Sequence, residues 1–271
     1  YFEAKAKLFS YEFADLAVIN IDDSYGIKLA ELTELPVMTV SRHDQSATWH
    51  YTSISKDYVG AHVAIRGSAG ILIEGKVHLH GGYNFDNLLM AVAIATESGI
   101  DPIDIAAILP QLTGAVGRLD AVRLGQNFTA LVDYAHSPDA VTRVLETARE
   151  ISDGRVIAVL GCGGDRDTSK RSLMGKALQD GADVAIYTSD NPRSEKADAI
   201  LVQMTLGLEI HEPSAVIEDR ADAIRAAVNE AQEGDVVLVL GKGHEKGQEI
   251  NGTVHPFDDR VELARAIEDK K

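Results

Sequence analysis

The segment GCGGDRD, residues 161–167, has the composition of a loop that binds an anion. Glycines after a strand let backbone N–H groups approach a ligand, and a helix that begins after them adds positive potential. Arg166 could hold a carboxylate or a phosphate with two parallel hydrogen bonds. A tight turn with Arg166 in a surface ion pair explains the same residues. For Cys162, in the same loop, we expect only the role of a small buried side chain.

The segment SDNPRSE, residues 189–195, predicts a rigid turn at the end of a strand. Pro192 fixes the turn, and Asp190 and Asn191 can bond the local backbone. Arg193 is then left free to point into a cleft, where an arginine can recognise a carboxylate. The alternative is an Asx turn with an exposed arginine.

The segment GKGHEKG, residues 241–247, places charged side chains between glycines. It is not a P-loop, because the pattern GxxxxGK[ST] occurs nowhere in the chain. Glu245 could accept a hydrogen bond from an amine, and His244 could orient a neighbour. A glycine-rich turn with solvated charges is the alternative.

Two further segments suggest contacts to a nucleotide. Asp133 ends a predicted strand, where a carboxylate can accept a hydrogen bond from a ribose hydroxyl. His136 lies just before a predicted helix, so capping by Ser137 with a packed His136 is the alternative. Asn84 and Asn87 are three residues apart and share one helical face, where their amides could read a base edge. Ordinary capping would explain one of the two.

The hydrophobic pattern predicts the elements that position these segments. Residues 1–116 are mixed, with a strand at 16–21, a β-rich stretch at 37–80, and helices at 2–9, 84–98 and 101–108. From residue 117 onward, we expect strands at 130–133, 156–161, 184–188, 215–217 and 236–240, and helices at 138–151, 172–179, 196–205, 221–231 and 260–267. Apolar strands separated by helices predict a parallel α/β sheet that is buried on both faces. Ligands bind at the carboxyl ends of such strands, so the polar segments predict one site.

Composition limits the classes of function. The 271 residues include 26 Lys and Arg against 42 Asp and Glu, a net charge of −16, which argues against a nucleic-acid partner or an anionic membrane surface. No apolar run approaches the roughly 20 residues that a membrane helix needs, so we expect no membrane insertion. The single cysteine excludes an internal disulfide. Together with the absence of a visible signal segment, it favours a cytoplasmic location.

Taken together, the motifs resemble those of the Mur ligase family, in the family's order and across nearly the whole chain. They are YFEAKAKLF (1–9), INIDDSYG (19–26), GGYNFDN (81–87), GRLD (117–120), DYAHSPDA (133–140), GCGGDRD (161–167), DNPRSE (190–195) and GKGHE (241–245). Each motif is weak alone, but the set is specific. The resemblance implies that residues 1–116 are the end of the family's central ATP-binding domain, and that residues 117–271 are its Rossmann-like α/β C-terminal ligase domain.

The resemblance implies an ATP-dependent ligase that forms an amide bond, uses Mg²⁺ and acts in peptidoglycan synthesis. ATP would phosphorylate the D-glutamate γ-carboxylate of UDP-N-acetylmuramoyl-L-alanyl-D-glutamate. The amine of meso-diaminopimelate would then attack the acyl phosphate and release phosphate. A carboxylate is a poor acyl donor, so phosphorylation supplies the leaving group, while positioning and Mg²⁺ stabilise the developing charge.

By the same resemblance, two residues would be catalytic. Lys5 corresponds to the family's carbamylated lysine, an anionic oxygen ligand that supports Mg²⁺ near the γ-phosphate. Arg118 corresponds to an arginine that approaches the phosphates. Four residues would bind the nucleotide, two at the adenine, one at the ribose and one in the same motif: Asn84, Asn87, Asp133 and His136.

The resemblance also implies a pocket for the incoming amino acid. Its residues would be Arg166, Asp190, Asn191, Arg193, Gly241 and Glu245. The sequence DNPR resembles the form selective for meso-diaminopimelate, since an arginine can recognise the second carboxylate, which lysine lacks. Glu245 and the backbone at Gly241 would bind the distal ammonium.

The family's GxxGK[ST] loop, its acidic Mg²⁺ ligand and its uridine-nucleotide domain would precede Lys5 and are not in the chain. We therefore expect no ligase activity from this polypeptide alone. One alternative is a related ligase of the lysine-adding or folylpolyglutamate type, against which DNPR and GKGHE argue. Another is a non-catalytic binding module, against which the retained polar residues argue.

Overall fold

The computed structural model describes residues 1–57 and 60–270. These residues form two compact units that divide between Thr113 and Gly114, close to the boundary expected after residue 116. The functional assignment of the two parts stays a prediction.

The first unit contains one mixed sheet and short flanking helices. Its strands are β1 (Ala17–Asn20), β2 (Val37–Ser41), β3 (Trp49–Asp57), β4 (Gly60–Arg66) and β5 (Leu72–Val77). Its helices are α1 (Phe2–Ala6), α2 (Ser24–Leu32), α3 (Gly82–Glu97) and α4 (Pro102–Ile108), with 3-10 turns at Ser68–Gly70 and Leu109–Gln111. The sheet order is β1-β2-β3-β4-β5, parallel through β3 and antiparallel after it.

Two elements of the first unit differ from the sequence-based expectations. The helix expected to reach Phe9 ends at Ala6 and continues as turns. Helix α2 was not predicted, and it begins after Asp23, whose carboxylate caps it by accepting hydrogen bonds from the backbone N–H groups of Tyr25 and Gly26. The predicted helix at 101–108 is confirmed as α4, with Asp101 accepting from the backbone N–H of Ile103 as its cap.

The second unit is a layered α/β structure. Its strands are β6 (Asp120–Ala121), β7 (Thr129–Asp133), β8 (Val156–Cys162), β9 (Val184–Ser189), β10 (Ala215–Val216), β11 (Val236–Leu240), β12 (Gly247–Ile250) and β13 (Thr253–Pro256). Its helices are α5 (Pro138–Ile151), α6 (Ser169–Gly181), α7 (Ala197–Met204), α8 (Arg220–Glu230) and α9 (Asp259–Lys270). The main sheet has the order β10-β9-β8-β11-β7-β6, and β12 pairs with β13 separately.

The main sheet is parallel from β10 to β7, as predicted, and antiparallel only at its short β6 edge. Every residue of β7, β8, β9 and β11 is buried, because helices cover both faces. One apolar core lies against α5, α6 and α7, and the other against α8 and α9. Successive strand residues alternate between the two cores, as the side-chain period of a strand requires.

Local sequence signals explain how the helices begin. In α5, the Ser137 hydroxyl accepts from the Ala140 N–H and Pro138 occupies the first helical position, as expected. The buried residues of α5 are Val141, Val144, Leu145 and Ala148, the spacing of one apolar helical face. The predicted strands and helices of this unit are confirmed to within a few residues, whereas the β12–β13 hairpin was not predicted.

Across residues 1–57 and 60–270, no helix combines the length and the apolar character that crossing a membrane requires.

Candidate functional site

The carboxyl ends of three neighbouring strands of the second unit open onto one cavity of about 390 Å³. The strands are β9, β8 and β11. Helix α6, which follows β8, packs on one face of the sheet, and helix α9, which comes after β11 in the chain, packs on the other face. A crevice at such a topological switch point is the usual ligand site of an α/β sheet. The lining includes Arg166, Asp190, Asn191, Arg193, Gly241 and Glu245, together with His136. The structure therefore brings together all six residues expected in the amino-acid pocket.

A buried lysine, which the sequence patterns did not indicate, organises part of this cavity. The Lys242 side chain is fully buried, and its Nζ atom lies 3.3 Å from Asp190 Oδ1, 3.0 Å from Asn191 Oδ1 and 3.3 Å from Glu245 Oε2. We call these four residues the Lys242 cluster. Lys242 comes just after the apolar run 236–240 and lies between two glycines. This position could have indicated that its side chain is buried.

Burial raises the pKa of the Asp190 carboxyl, and the nearby Arg220 and Lys242 cations oppose that rise. Asp190 and Asn191 were expected to bond the local backbone, and this prediction is wrong for their side chains. Both side chains accept from Lys242, and Asn191 Oδ1 also accepts from the Glu249 N–H at 2.9 Å. These partners lie 51 to 58 residues away in sequence, so turn patterns could not reveal them.

Arg166 and Arg193 line the cavity together with two further cationic side chains, Lys170 and Arg171, and we call Arg166 and Arg193 the arginine pair. Arg166 is exposed and, within the described residues, makes no hydrogen bond or ion pair. Arg193 is half-buried and not free, contrary to the sequence-based expectation. Its Nη1 donates to the Gly164 carbonyl at 2.7 Å, and its Nε lies 3.4 Å from Glu249. A cavity with guanidinium groups and carboxylate oxygens can bind a molecule that carries both a carboxylate and an ammonium.

Close backbone packing explains the glycines of two of these loops. A Cβ atom at Gly164 would come within 1.9 Å of the Pro192 carbonyl oxygen, so the two loops can meet only if this residue has no side chain. Gly241 has a φ of 110°, and a Cβ there would lie 3.0 Å from Asp190 Oδ2. The glycines thus let charged loops approach one another at the strand ends.

A first ion pair, between a buried arginine and a half-buried glutamate, joins the two loops on either side of the arginine pair. Arg171, on α6, is buried, and its guanidinium donates to both carboxylate oxygens of Glu195 at 2.7 and 2.8 Å. It also donates to the Gly163 carbonyl at 3.1 Å. The hydrogen bonds from Arg171 lower the pKa of Glu195 to about 2.

A second buried ion pair lies beneath the Lys242 cluster. Arg220 donates to both carboxylate oxygens of Asp259 at 2.7 Å, and neither side chain is exposed. The same guanidinium donates to the Ser189 carbonyl at 3.2 Å and the Leu240 carbonyl at 2.9 Å. These carbonyls end β9 and β11, so Arg220 ties together the strand ends that precede Asp190 and Gly241.

The residues expected at the nucleotide have well-defined neighbours in the second unit. The Asp133 carboxylate is buried and accepts from the backbone N–H groups of Leu119 and Ala135, both at 2.8 Å. The exposed Arg118 has its guanidinium carbon 5.3 Å from the centroid of the Tyr134 ring. His136 is also exposed, and its Nδ1 lies 2.8 Å from the Tyr134 carbonyl oxygen. Asp133 is therefore a local organiser of the backbone, whatever it binds.

The expected residues of the first unit share no common geometry. Asn84 is buried, and its amide donates to the His80 carbonyl at 2.8 Å. Asn87 is exposed, so the two amides do not present one surface as their spacing suggested. Lys5 is exposed on α1, with its Nζ 5.5 Å from the Tyr1 ring centroid.

Cys162 is buried as expected, and burial raises the pKa of its thiol to about 12. An inert thiol fits its predicted role as a packing residue.

Comparisons with known proteins identify the family to which the chain is similar. The profile of the Mur ligase middle domain matches residues 1–95, and that of the Mur ligase glutamate ligase domain matches residues 117–243. A protein of Streptomyces coelicolor named UDP-N-acetylmuramoyl-L-alanyl-D-glutamate–2,6-diaminopimelate ligase is 46% identical over 98% of the chain, and its namesake in Aquifex aeolicus is 38% identical over 96%. The chain spans 54% and 52% of the lengths of these two relatives.

Solved structures give the same result. A structure titled with the same ligase name is 38% identical, with a TM-score of 0.75 over 99% of the chain and 56% of that structure's chain. A folylpolyglutamate synthase of Mycobacterium tuberculosis, at 20% identity, covers 89% of this chain and 56% of its own with a TM-score of 0.61, which is a likeness of fold alone. The two profiles together match most of the sequence, and the chain belongs to the Mur ligase family.

Proposed function

We propose that this chain serves an ATP-dependent ligase reaction of peptidoglycan synthesis. The reaction joins meso-diaminopimelate to the D-glutamate γ-carboxylate of UDP-N-acetylmuramoyl-L-alanyl-D-glutamate. The proposal rests on one observation, the cavity at the carboxyl ends of β8, β9 and β11 that combines the arginine pair with the oxygens of the Lys242 cluster. The names of the relatives support the same reaction.

The cavity suits an amino acid with two charged ends. In our proposal, Arg166 and Arg193 bind the carboxylate of the distal end, since guanidinium and carboxylate can form paired hydrogen bonds. Glu245 binds the distal ammonium, helped by the backbone at Gly241. Asp190 and Asn191 belong to the ammonium-binding side of the cavity through their contacts with Lys242. Lysine has the ammonium but not the second carboxylate, so the arginine pair would be the source of discrimination.

The chemistry of the proposed reaction requires the free amine to meet an activated carboxylate. ATP supplies the phosphoryl group that turns the γ-carboxylate into an acyl donor. The residues of the cavity hold the amino acid at its distal end, which leaves the other amine unbound and fixes its direction of approach. The new bond forms between that nitrogen and the acyl carbon, phosphate leaves, and the nitrogen loses a proton.

Nucleotide binding is part of the proposal for five residues. Asp133 accepts hydrogen bonds from two backbone N–H groups, and in our proposal its carboxylate also accepts one from a ribose hydroxyl. His136 and Arg118 are exposed beside Tyr134, where they are free to contact a nucleotide. Asn87 offers an exposed amide to the adenine, whereas the Asn84 amide already donates to His80.

The described side chains do not by themselves form a site for a magnesium ion. Among the residues that the structure describes, no three or more His, Cys, Asp or Glu side chains are grouped to hold a metal. Lys5 is a cation and would become an oxygen ligand only as a carbamate. The magnesium role of Lys5 therefore stays a prediction, as does the cytoplasmic location.

The experiment that tests the proposal measures binding of amino acids to the chain by isothermal titration calorimetry. We expect meso-diaminopimelate to bind roughly tenfold or more tightly than L-lysine, because a polar site rejects a ligand that lacks its partner group. The variant Arg193→Ala should weaken binding of meso-diaminopimelate by roughly tenfold and leave L-lysine within about twofold. Arg225→Met, which changes an exposed arginine on α8, is the matched control.

Equal affinity for the two amino acids would refute the assigned substrate, and tighter binding of L-glutamate would favour the folylpolyglutamate type. Equal losses for both ligands in Arg193→Ala would also contradict the role given to Arg193.

A further inference from the structure

Lys242 is the most completely enclosed charged side chain at the cavity, and the proposed reaction gives it no contact with a ligand. Its side chain has no exposed surface, and its three acceptors belong to Asp190, Asn191 and Glu245, which line the cavity. An ammonium has three N–H donors, so these three contacts use all of them. Lys242 therefore cannot donate to a ligand in this arrangement and acts through its neighbours.

The contacts of Lys242 fix the orientation of the Asn191 amide. Asn191 Oδ1 accepts from Lys242 Nζ and from the Glu249 N–H, so this oxygen must face them. The Asn191 Nδ2 group is consequently turned toward Glu245 and donates to its Oε2 at 2.8 Å. Without the lysine, Asn191 Oδ1 would lose one of its two donors and keep only the Glu249 N–H, which weakens the hold on the orientation of the amide.

Glu245 is held by two routes that both begin at Lys242. The lysine contacts Oε2 directly at 3.3 Å, and Asn191 contacts the same oxygen at 2.8 Å. Within the described part of the chain, the other oxygen, Oε1, accepts no hydrogen bond. One oxygen is thus anchored, and the other remains available to a ligand in the cavity.

The charges of the Lys242 cluster also support a positioning role for the lysine. Lys242 places one positive charge against the carboxylates of Asp190 and Glu245. This compensation allows two acids to lie close together while a negative charge remains at the cavity surface on Glu245, whose side chain is 35% exposed. A neutral residue at position 242 would remove the cation that pairs with both acids and strengthen their repulsion, and the more exposed Glu245 is the one able to turn away.

We propose that Lys242 is a positioning residue that presets Glu245 to accept the distal ammonium of a diamino acid, and so determines the preference for a diamino acid over a mono-amino analogue. This inference rests on the proposed function. It assigns to Lys242 an effect on ligand selectivity, although Lys242 itself does not contact the ligand.

The first test is structural and needs no ligand. Lys242→Met has nearly the same length without the charge, and Lys242→Gln provides a polar variant if the methionine variant does not fold. In crystal structures of the chain, we expect either variant to lose the 2.8 Å contact between Asn191 Nδ2 and Glu245 Oε2 and to turn Glu245 toward solvent. The control is Lys176→Met, which removes an exposed lysine that pairs with Asp180 on α6. An unmoved Glu245 would overturn the proposal.

The second test separates positioning from general loss of structure. Binding of meso-diaminopimelate and of 2-aminopimelate, which lacks the distal amine, is measured by calorimetry for the chain and its variants. Lys242→Met should weaken meso-diaminopimelate by roughly tenfold or more, a typical loss when the partner of a binding group is removed. Its effect on 2-aminopimelate should stay within about twofold, because that ligand has no ammonium for Glu245.

The two proposals fail in different ways. If the unaltered chain binds no meso-diaminopimelate, the proposed function is wrong, and the ligand-free structures still support or overturn the positioning of Glu245. If the chain binds it and Lys242→Met weakens both ligands equally, the proposed function stands and the selectivity role of Lys242 is refuted.

Discussion

The Lys242 cluster and the arginine pair line the same cavity, but they are built in different ways. In the cluster, a buried lysine uses all its donors on neighbouring side chains, and burial raises the pKa of Asp190. In the pair, Arg166 is exposed, and Arg193 is only half-buried between a carbonyl and an acid. The acidic side is thus formed before a ligand arrives, whereas on the basic side Arg166 is solvated and Arg193 is only partly held.

This difference has a consequence for recognition. A preformed group loses little conformational entropy on binding, whereas an exposed arginine must be ordered by the ligand. We therefore expect recognition of the distal ammonium by the cluster to be sensitive to its supporting residues. Recognition of the distal carboxylate by the arginine pair should depend mainly on the arginines themselves. Variants at Arg220, Glu195 and Arg166 test this contrast, in decreasing order of the expected effect on stability.

The largest loss of stability is expected for a substitution beneath the Lys242 cluster. Arg220→Met removes the cation that pairs with buried Asp259 and that binds the last carbonyls of β9 and β11. Removing one partner of a buried ion pair costs about 4 kcal/mol, because the other charge stays buried alone. We expect the free energy of unfolding, measured by urea denaturation with circular dichroism, to fall by about that amount.

Arg225→Met is the matched control, since it removes an exposed arginine that pairs with Asp222 on the same helix. Its effect should stay within about 0.5 kcal/mol, as for other surface ion pairs. Similar losses in the two variants would show that Arg220 has no special part in joining the strand ends.

The sequence predicted much of this region for simple physical reasons. Apolar runs between helical segments predicted β7, β8, β9 and β11, and parallel topology then required their polar ends to meet. That is why Arg166, Arg193 and Glu245 were expected in one cavity and line it together. The family resemblance supplied the individual roles, which the residues alone left open.

The sequence did not predict Lys242 or the bonded state of Arg193. A lysine is rarely fully buried unless its charge is compensated, and here the compensation comes from residues up to 52 positions away. Arg193 contacts Glu249 on β12, a short strand whose pairing depends on a turn that the hydrophobic pattern did not indicate. Both features depend on contacts between loops, and the hydrophobic periodicity of a single sequence carries no information about such contacts.

The second-largest loss of stability is expected for a substitution beside the arginine pair. Glu195→Gln keeps the shape of the side chain but leaves buried Arg171 without a counter-charge. Because Glu195 is 29% exposed and partly screened by water, we expect a loss of about 2 kcal/mol in the free energy of unfolding at neutral pH. Asp180→Asn is the control, since it breaks an exposed pair with Lys176.

The pH dependence gives this prediction a sign. The pKa of Glu195 falls from 4.5 to about 2 on folding, so its contribution to stability is present above pH 4.5. That contribution is lost as the pH falls from 4.5 toward 2. The difference in unfolding free energy between the original chain and Glu195→Gln should therefore shrink over this window. A difference that stays constant down to pH 2 would contradict the assigned ion pair.

The smallest effect on stability is expected at Arg166. Arg166→Ala should change the free energy of unfolding by less than about 0.5 kcal/mol, because the side chain is exposed and bonds none of the described residues. If the arginine pair works as proposed, the same variant should still weaken meso-diaminopimelate by roughly fivefold, measured by calorimetry. The binding enthalpy should become less favourable and the binding entropy more favourable, because one fewer side chain is ordered. A loss of affinity accompanied by a large loss of stability would mean that Arg166 supports the loop, and the contrast with Lys242 would disappear.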